Sequence, residues 1–350
     1  MAFNADGSQL ITAGTRGHVS RWSVSGGRLV GGRLVGTPVK LETSFQPLEF
    51  SDDGRCFVTG STDGFARSWS AETGQVLRES KHGSEINAVA ISHDGRWVAS
   101  AGADRVVRVW HRATGKLRLE LKGHTNEVMR VLFSPDDRWI GTASLDSTGR
   151  IRDAVSGQER HVLPHQGEVA DLDFSPDGQL VAAGSRDRTP MIWTVLTGRL
   201  CVTSLRHAQA LRDVRFSPDG ARLLGLDFHG PRLWDVASGH PLTIPLPHRT
   251  LAGIGFKSTS QEPQLTPDGN SFLVAHASFE ARIWEAEVPP SVIPEWFPEL
   301  LEAIAGQKLI EEMELPIRMD PQTFLSLRDR LPQSKETDFY TSWARKGLGD

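Results

Sequence analysis

The chain has 350 residues, of which 38% are hydrophobic and 23% charged, and its formal net charge at pH 7 is -4. This composition is ordinary for a globular protein that buries a hydrophobic core. Acidic and basic residues are interspersed, so bulk charge excludes an electrostatic preference for nucleic acid or for an anionic membrane.

The N-terminal residues 1–7 contain neither a basic region nor an apolar one, so they do not read as a leader sequence. No apolar run approaches the roughly eighteen residues that a membrane span needs. The sequence therefore predicts a cytoplasmic protein. Its two cysteines, Cys56 and Cys201, fall in repeat units that are not adjacent, which makes a disulfide between them improbable and predicts reduced thiols.

A short motif recurs along the chain and sets the period of the whole sequence. In its clearest form, at 174–178, it reads Phe-Ser-Pro-Asp-Gly. The first residues of the seven copies are Phe3, Phe50, Ile91, Phe133, Phe174, Phe216 and Leu265. They lie 47, 41, 42, 41, 42 and 49 positions apart, a spacing that matches the four-stranded blade of a β-propeller and no helical repeat.

Each unit continues with runs rich in Val, Ile, Leu and Ala, separated by polar turns, and one run ends in tryptophan, as in Val-Val-Arg-Val-Trp at 106–110. The run ends are Trp22, Trp69, Trp110, Arg152, Trp193, Trp234 and Trp284. Short β-branched runs with turn punctuation are typical of strands. The pattern predicts an all-β repeat array.

These units, over about 1–286, resemble the WD-repeat family, and the resemblance implies a seven-bladed β-propeller. In that family a histidine before the inner strand, an aspartate in the turn between the second and third strands, and the tryptophan are linked by hydrogen bonds. The matching residues here are His82, Ser100, Asp104 and Trp110, then His124 and Asp146, then His165, Asp187 and Trp193. Because the trio recurs from unit to unit, it predicts a scaffold and no catalytic residue.

Several units depart from the pattern. Arg152 replaces the tryptophan of the fourth unit, which is expected to weaken that blade, so that Arg152→Trp would be stabilising. The sixth unit has His229 near the aspartate position, and the seventh lacks the aspartate. A tandem duplication at 27–36, Gly-Arg-Leu-Val-Gly twice, is expected to form a slack loop.

The two ends of the chain carry further expectations. The first unit begins only two residues before Phe3, so its blade is expected to be truncated, with upstream residues closing the ring. After Pro289, apolar residues such as Trp296, Leu300 and Ile304 fall at helical spacing. The sequence thus predicts a propeller at 1–288 and a short C-terminal α-helical extension at 289–350.

The helical extension is similar to that of multi-blade WD-repeat proteins of planctomycete-type bacteria, which are often linked to serine/threonine kinases. The resemblance implies a bacterial source, and it leaves open that the chain is a C-terminal fragment of such a kinase. No glycine loop with its lysine and no His-Arg-Asp triad is found in the sequence itself.

The leading functional hypothesis is a non-catalytic scaffold or sensor that binds a protein or peptide on its rim. The candidate binding residues are Arg130, Asp171, Arg186 and Asp213, because their size and charge vary between units at equivalent positions. No nucleic acid, membrane, metal or cofactor is predicted as a partner, and a closed ring would be monomeric. The alternative is a propeller-type hydrolase with a site in its central channel.

Overall fold

The computed structural model describes residues 47–202, 205–207, 209–227 and 231–242 in full, and only the backbone of further strands outside these ranges. The chain divides into two compact units, Met1–Trp284 and Glu285–Asp350. The predicted helices at 289–350 and His229 lie outside the described residues. All the elements that the structure describes are β-strands.

The described strands form seven antiparallel sheets, numbered here 1 to 7 in chain order. Sheet 1 contains β1 (Ala2–Phe3), β2 (Gln9–Ala13), β3 (Val19–Ser25) and β4 (Arg28–Leu34). Sheet 2 contains β5 (Phe45–Phe50), β6 (Cys56–Ser61), β7 (Phe65–Ser70) and β8 (Val76–Lys81). Sheet 3 contains β9 (Ile86–Ile91), β10 (Trp97–Gly102), β11 (Val107–His111) and β12 (Leu117–Leu121).

Sheet 4 contains β13 (Val128–Phe133), β14 (Trp139–Ser144), β15 (Thr148–Asp153) and β16 (Glu159–Pro164). Sheet 5 contains β17 (Val169–Phe174), β18 (Leu180–Ser185), β19 (Met191–Thr194) and β20 (Leu200–Val202). Sheet 6 contains β21 (Asp213–Phe216), β22 (Arg222–Leu226) and β23 (Pro231–Asp235). Sheet 7 contains β24 (Gln264–Leu265), β25 (Ser271–Ala275) and β26 (Ala281–Glu285). This repeated all-β architecture confirms the predicted class and fits a propeller.

The recurring Ser-x-Asp-Gly motif forms the turn between the first and second strands. In sheet 3, Ser92 Oγ donates to Asp94 Oδ1 over 2.6 Å, and the same oxygen accepts the N–H of Arg96 at 2.9 Å. Gly95 follows with a φ of 68°, a left-handed conformation that glycine adopts without a steric cost. Asp137 takes the glycine position in sheet 4, at a φ of 57°.

Hydrophobic cores lie between neighbouring sheets. One core joins Ala99 and Val109 of sheet 3 to Val131, Phe133 and Ile140 of sheet 4, all of them buried. Burial of this kind is the main favourable contribution to the stability of the fold. Because successive sheets share a core, each sheet depends on its neighbours for burial, as expected for a repeat array.

Glycines on the second strands allow the next sheet to approach closely. A Cβ atom at Gly141 would lie 2.8 Å from Leu172 Cδ2, and one at Gly184 would lie 2.8 Å from Val214 Cγ1. These separations are shorter than real Cβ contacts, so a larger residue would push the two sheets apart.

The first strands of consecutive sheets also exchange polar contacts. Each contact joins a side chain of one first strand to the backbone of the next first strand. Glu49 accepts from the Ile91 N–H at 3.1 Å, and Asn87 donates to the Val128 carbonyl at 3.3 Å. Asp173 accepts from the Phe216 N–H at 2.7 Å. A first strand is the edge of its sheet, and these side chains satisfy backbone groups that the sheet leaves unpaired.

Two sequence expectations are decided by the strands themselves. The duplication at 27–36 does not form a slack loop, because Arg28–Leu34 pairs with β3 as the outer strand of sheet 1. Both cysteines are free, as predicted: Cys56 is buried in β6 and Cys201 is exposed in β20.

Candidate interaction surface

In sheet 3 the residues singled out by the sequence form one hydrogen-bonded chain. Trp110 Nε1 donates to Ser100 Oγ at 3.0 Å, and Ser100 Oγ lies 2.8 Å from His82 Nδ1. His82 Nε2 lies 3.1 Å from Asp104 Oδ1. These hydrogen bonds therefore connect the third strand to the second strand and to the loop before the first strand, and they hold these three elements together.

In sheet 4 the hydrogen-bonded series has one member fewer, because Arg152 takes the tryptophan position. His124 Nδ1 lies 2.8 Å from Asp146 Oδ2, and His124 Nε2 lies 2.8 Å from Thr142 Oγ1. Thr142 stands where sheet 3 has Ser100 and was not identified from the sequence.

Arg152 is buried and does not hold its charge in solvent. Its guanidinium donates to the Lys122 carbonyl at 2.6 Å and to Glu159 Oε2 at 2.9 Å. The guanidinium is thus paired inside the sheet, and the expected weakening of this blade by the loss of tryptophan stays a prediction. Glu159 lies directly across the strand pair from Arg152, at a point where the register shifts by one residue.

In sheet 5 the hydroxyl is missing. His165 Nδ1 lies 3.4 Å from Asp187 Oδ2, and the ring of His165 meets the ring of Trp193 edge-on at 5.2 Å between centroids. Ala183 stands where sheets 2 to 4 have a hydroxyl side chain, and His165 Nε2 has no hydrogen-bond partner among the described residues.

Sheet 6 contains a histidine–aspartate pair that the sequence reasoning missed. His207 Nδ1 lies 2.7 Å from Asp227 Oδ2, and both side chains are buried. In sheets 3 to 5 the aspartate follows the histidine by a fixed interval, which in sheet 6 leads to His229. Asp227 comes two residues earlier, directly after β22, so a search for the aspartate nearest to the expected position would have found it.

Four consecutive segments of the chain match the family model of the WD domain, G-beta repeat, at residues 43–70, 74–111, 115–153 and 157–194. These four segments are therefore similar to WD repeats. Each of the last three segments begins with the outer strand of one sheet and ends with the third strand of the next. A WD repeat therefore links two neighbouring sheets covalently. No curated protein matches the chain significantly.

The WD repeat of sheet 2 has no histidine at the equivalent position, and an arginine takes part of its role. Trp69 Nε1 donates to Thr59 Oγ1 at 2.9 Å, as Trp110 donates to Ser100 in sheet 3. Arg67 donates to Asp63 Oδ2 at 2.8 Å and to Glu79 Oε1 at 2.6 Å, so the turn aspartate is still held by a neighbouring side chain.

Burial lowers the pKa of three of the WD-repeat histidines, namely His82, His124 and His165. Burial alone would raise the pKa of the facing aspartates, but hydrogen bonds from hydroxyl, guanidinium and backbone groups outweigh it and lower the pKa of Asp104, Asp146 and Asp187. At neutral pH each pair is thus a neutral imidazole beside a carboxylate, which suits a structural hydrogen bond.

Of the residues predicted for the rim, the structure brings Arg130 and Asp171 together. Asp171 Oδ1 lies 3.3 Å from Arg130 Nε of sheet 4, and Asp171 Oδ2 accepts the Val214 N–H of sheet 6 at 2.9 Å. The Asp171 side chain is only 4% exposed.

A second arginine, Arg215, also pairs with the Asp171 carboxylate. Asp213 is buried as well. Arg186 pairs with Glu168, and about a third of each side chain is exposed. A partner can therefore reach Arg186 and Glu168 directly, whereas Asp171 is enclosed between sheets 4, 5 and 6.

Neither a cluster of metal ligands nor a membrane-spanning helix is present among the described residues. Within it, no three histidine, cysteine, aspartate or glutamate side chains are grouped as metal ligands. Within the same residues, no helix has the length and apolar character to cross a membrane.

Proposed function

We propose that this chain is a non-catalytic protein-interaction module, a scaffold or sensor that binds a protein or peptide partner. WD repeats generally mediate protein interactions. One observation carries the proposal: a buried histidine before the first strand pairs with an aspartate in each of sheets 3, 4, 5 and 6. An active site needs one such arrangement, whereas a framework repeats it in every unit.

The proposal includes a finer architecture. Seven blades form one propeller at 1–288, and a helical extension follows at 289–350. The bacterial origin, the link to kinases, the cytoplasmic location and the monomeric state stay predictions from the sequence.

The proposed binding site lies on the rim, defined here as the end of the sheets that carries the turns between second and third strands. Arg186 and Glu168 lie on this rim and are partly exposed. Arg130 was also predicted for the rim from the sequence. It pairs with the buried Asp171, and its side chain is 16% exposed. A charged, accessible pair of this kind favours specificity and association rate more than raw affinity.

The test is capture of a partner from a lysate of the source organism with the full chain as bait. We expect a stoichiometric protein partner whose capture falls about tenfold in Arg186→Glu, because charge reversal opposes a complementary surface. Arg138→Glu is the matched control, since Arg138 is exposed on a turn between first and second strands. Its capture should equal that of the wild type.

The opposite result has a clear form. If no protein is captured in stoichiometric amount and the purified chain instead turns over a hydrolase substrate, the interaction proposal fails.

A further inference from the structure

The exposed large hydrophobic side chains of the described residues share one location. They are Val76, Leu77, Leu117, Val155, Val162, Leu196 and Leu200. Every one lies on an outer strand, β8, β12, β16 or β20, or in the turn that leads to one. Val155 and Leu196 are the most exposed, at 68% and 69%. Isolated exposed apolar residues are ordinary, but a set confined to one surface marks an interaction site.

These residues lie next to one another across the sheet boundaries. Arg118 of β12 donates to the Val155 carbonyl at 3.3 Å, so the turn of sheet 4 rests against the outer strand of sheet 3. His161 Nε2 of β16 lies 3.2 Å from the Leu196 carbonyl, so the turn of sheet 5 rests in the same way against sheet 4. We call the surface formed by β12, β16, β20 and the turns at 153–158 and 194–199 the outer wall.

Exposed cations also lie on or beside the outer wall. Lys116, Arg160 and Arg199 are exposed and make no ion pair with any described residue, and each is within two positions of an exposed Leu or Val. The nearby carboxylates are already engaged. Glu159 pairs with both Arg150 and Arg152.

The outer strands additionally carry unpaired backbone groups. β12, β16 and β20 are each the last strand of a described sheet. One edge of each strand therefore offers N–H and C=O groups that no strand of the same sheet satisfies. A polypeptide can pair with such groups, whereas the hydrocarbon of a bilayer cannot. This favours a protein over a membrane as the occupant of the outer wall.

We propose that the outer wall is a docking surface for an acidic, amphipathic segment of a partner protein. Leucine-type side chains of the segment pack on Leu117, Val155 and Leu196, and its carboxylates pair with Lys116, Arg160 and Arg199. This inference rests on the proposed protein-interaction function and adds a second surface, separate from the rim, with a stated partner chemistry.

The experiment is site-specific photo-crosslinking of the full chain in cells of the source organism. Benzoylphenylalanine replaces Val155 in one variant, Leu196 in a second, and the exposed rim residue Arg188 in a third. We expect the first two variants to crosslink to a protein segment with net negative charge and several Leu, Ile, Val or Phe residues. Adding Arg160→Glu and Arg199→Glu should lower the yield about tenfold, because both substitutions place like charges opposite each other.

Arg96→Glu combined with Arg138→Glu is the matched control, since it makes the same charge change at two exposed turns between first and second strands, outside both the rim and the outer wall. It should leave the yield within about twofold. A crosslinked segment that is neutral or basic, a yield that survives both reversals, or crosslinks to lipid would each overturn the inference.

The third variant separates this inference from the proposed function. Crosslinks at position 188 without any at 155 or 196 overturn the outer-wall inference and leave the interaction function standing. An absence of protein crosslinks at all three positions overturns both.

Discussion

Arg152 shows how a single replaced residue is accommodated in a repeat. It occupies a position that tryptophan fills in neighbouring repeats, and it is only 7% exposed. A buried guanidinium is costly unless it is hydrogen-bonded and paired. Here the Lys122 carbonyl and the Glu159 carboxylate supply both requirements, although burial still lowers the pKa of Arg152.

Arg152→Met should lower the free energy of unfolding by about 2 kcal/mol, because the methionine leaves the Lys122 carbonyl without its donor and removes a charge-assisted bond to Glu159. Urea unfolding measures the change. Arg160→Met on the adjacent outer strand is the control, and its effect should stay below about 0.5 kcal/mol because Arg160 is exposed. Equal stability of Arg152→Met and the wild type would show that the two acceptors contribute nothing net.

His93 connects the first turns of three sheets. Its Nδ1 lies 2.8 Å from Asp52 of sheet 2, and its backbone N–H donates to Asp137 of sheet 4 at 2.8 Å. Sheets 4 and 5 have proline at the equivalent turn position, Pro135 and Pro176, and proline has no N–H to donate. Histidine at 93 and aspartate at 137 are therefore complementary replacements.

His93→Gln should cost more stability at about pH 5.5 than at about pH 8.5. The hydrogen bond with Asp52 raises the pKa of His93, so the folded state binds the proton more tightly than the unfolded state does. Its contribution is complete below the ordinary histidine pKa of about 6.5 and is lost as the pH rises through the raised value. Because the side chain is 41% exposed, we expect a difference below about 1 kcal/mol.

Thermal unfolding of His93→Gln and the wild type at the two pH values measures this difference. Asp52→Asn should reduce the same pH dependence, because it removes the charge that raises the pKa. A cost of His93→Gln that is identical at both pH values would contradict the coupling.

At the scale of elements, the first strands of sheets 4, 5 and 6 are held together by one buried charge. The Asp171 carboxylate is surrounded by Arg130, Arg215 and the Val214 N–H. Asp173, two residues along the same strand, accepts the Phe216 N–H, and burial raises the pKa of Asp173 to about 6. The strand β17 therefore binds sheet 6 through two carboxylates.

Asp171→Lys should destabilise the protein by about 3 kcal/mol or more, since it places three cations together in a buried seam. The sequence alone suggested no effect on stability, because it treated Asp171 as a rim residue. Arg186→Glu is the comparison, and it should cost less than about 1 kcal/mol because its side chain is 29% exposed. Chemical denaturation measures the free energy of unfolding of both variants. If Asp171→Lys is as stable as the wild type, the contact between sheets 4, 5 and 6 does not depend on this carboxylate.

At the scale of the whole molecule, regular spacing was the informative part of the sequence. His82, Ser100, Asp104 and Trp110 could be identified because strands and turns of constant length place equivalent residues at constant intervals. Asp227 was missed because it lies two residues before the position that this interval predicts. The burial of Asp171 was missed because no single repeat shows which side of a first strand meets the next sheet.

Contacts between strands also limited what the sequence could predict. The pairing of Arg152 with Glu159 depends on a register shift between β15 and β16. The outer strand at Arg28–Leu34 was taken for a loop because it is rich in glycine. In both cases the decisive partner lies on another strand, where local pattern carries no information.

The most direct test is a crystal structure of the full chain bound to the partner that capture identifies. We predict that the partner contacts the rim, the outer wall or both, while the rings of His82, His124 and His165 stay inside their sheets and touch no partner atom. A ligand or substrate bound directly to one of these histidine–aspartate pairs would contradict the assignment of the pairs to the framework and of the chain to protein binding.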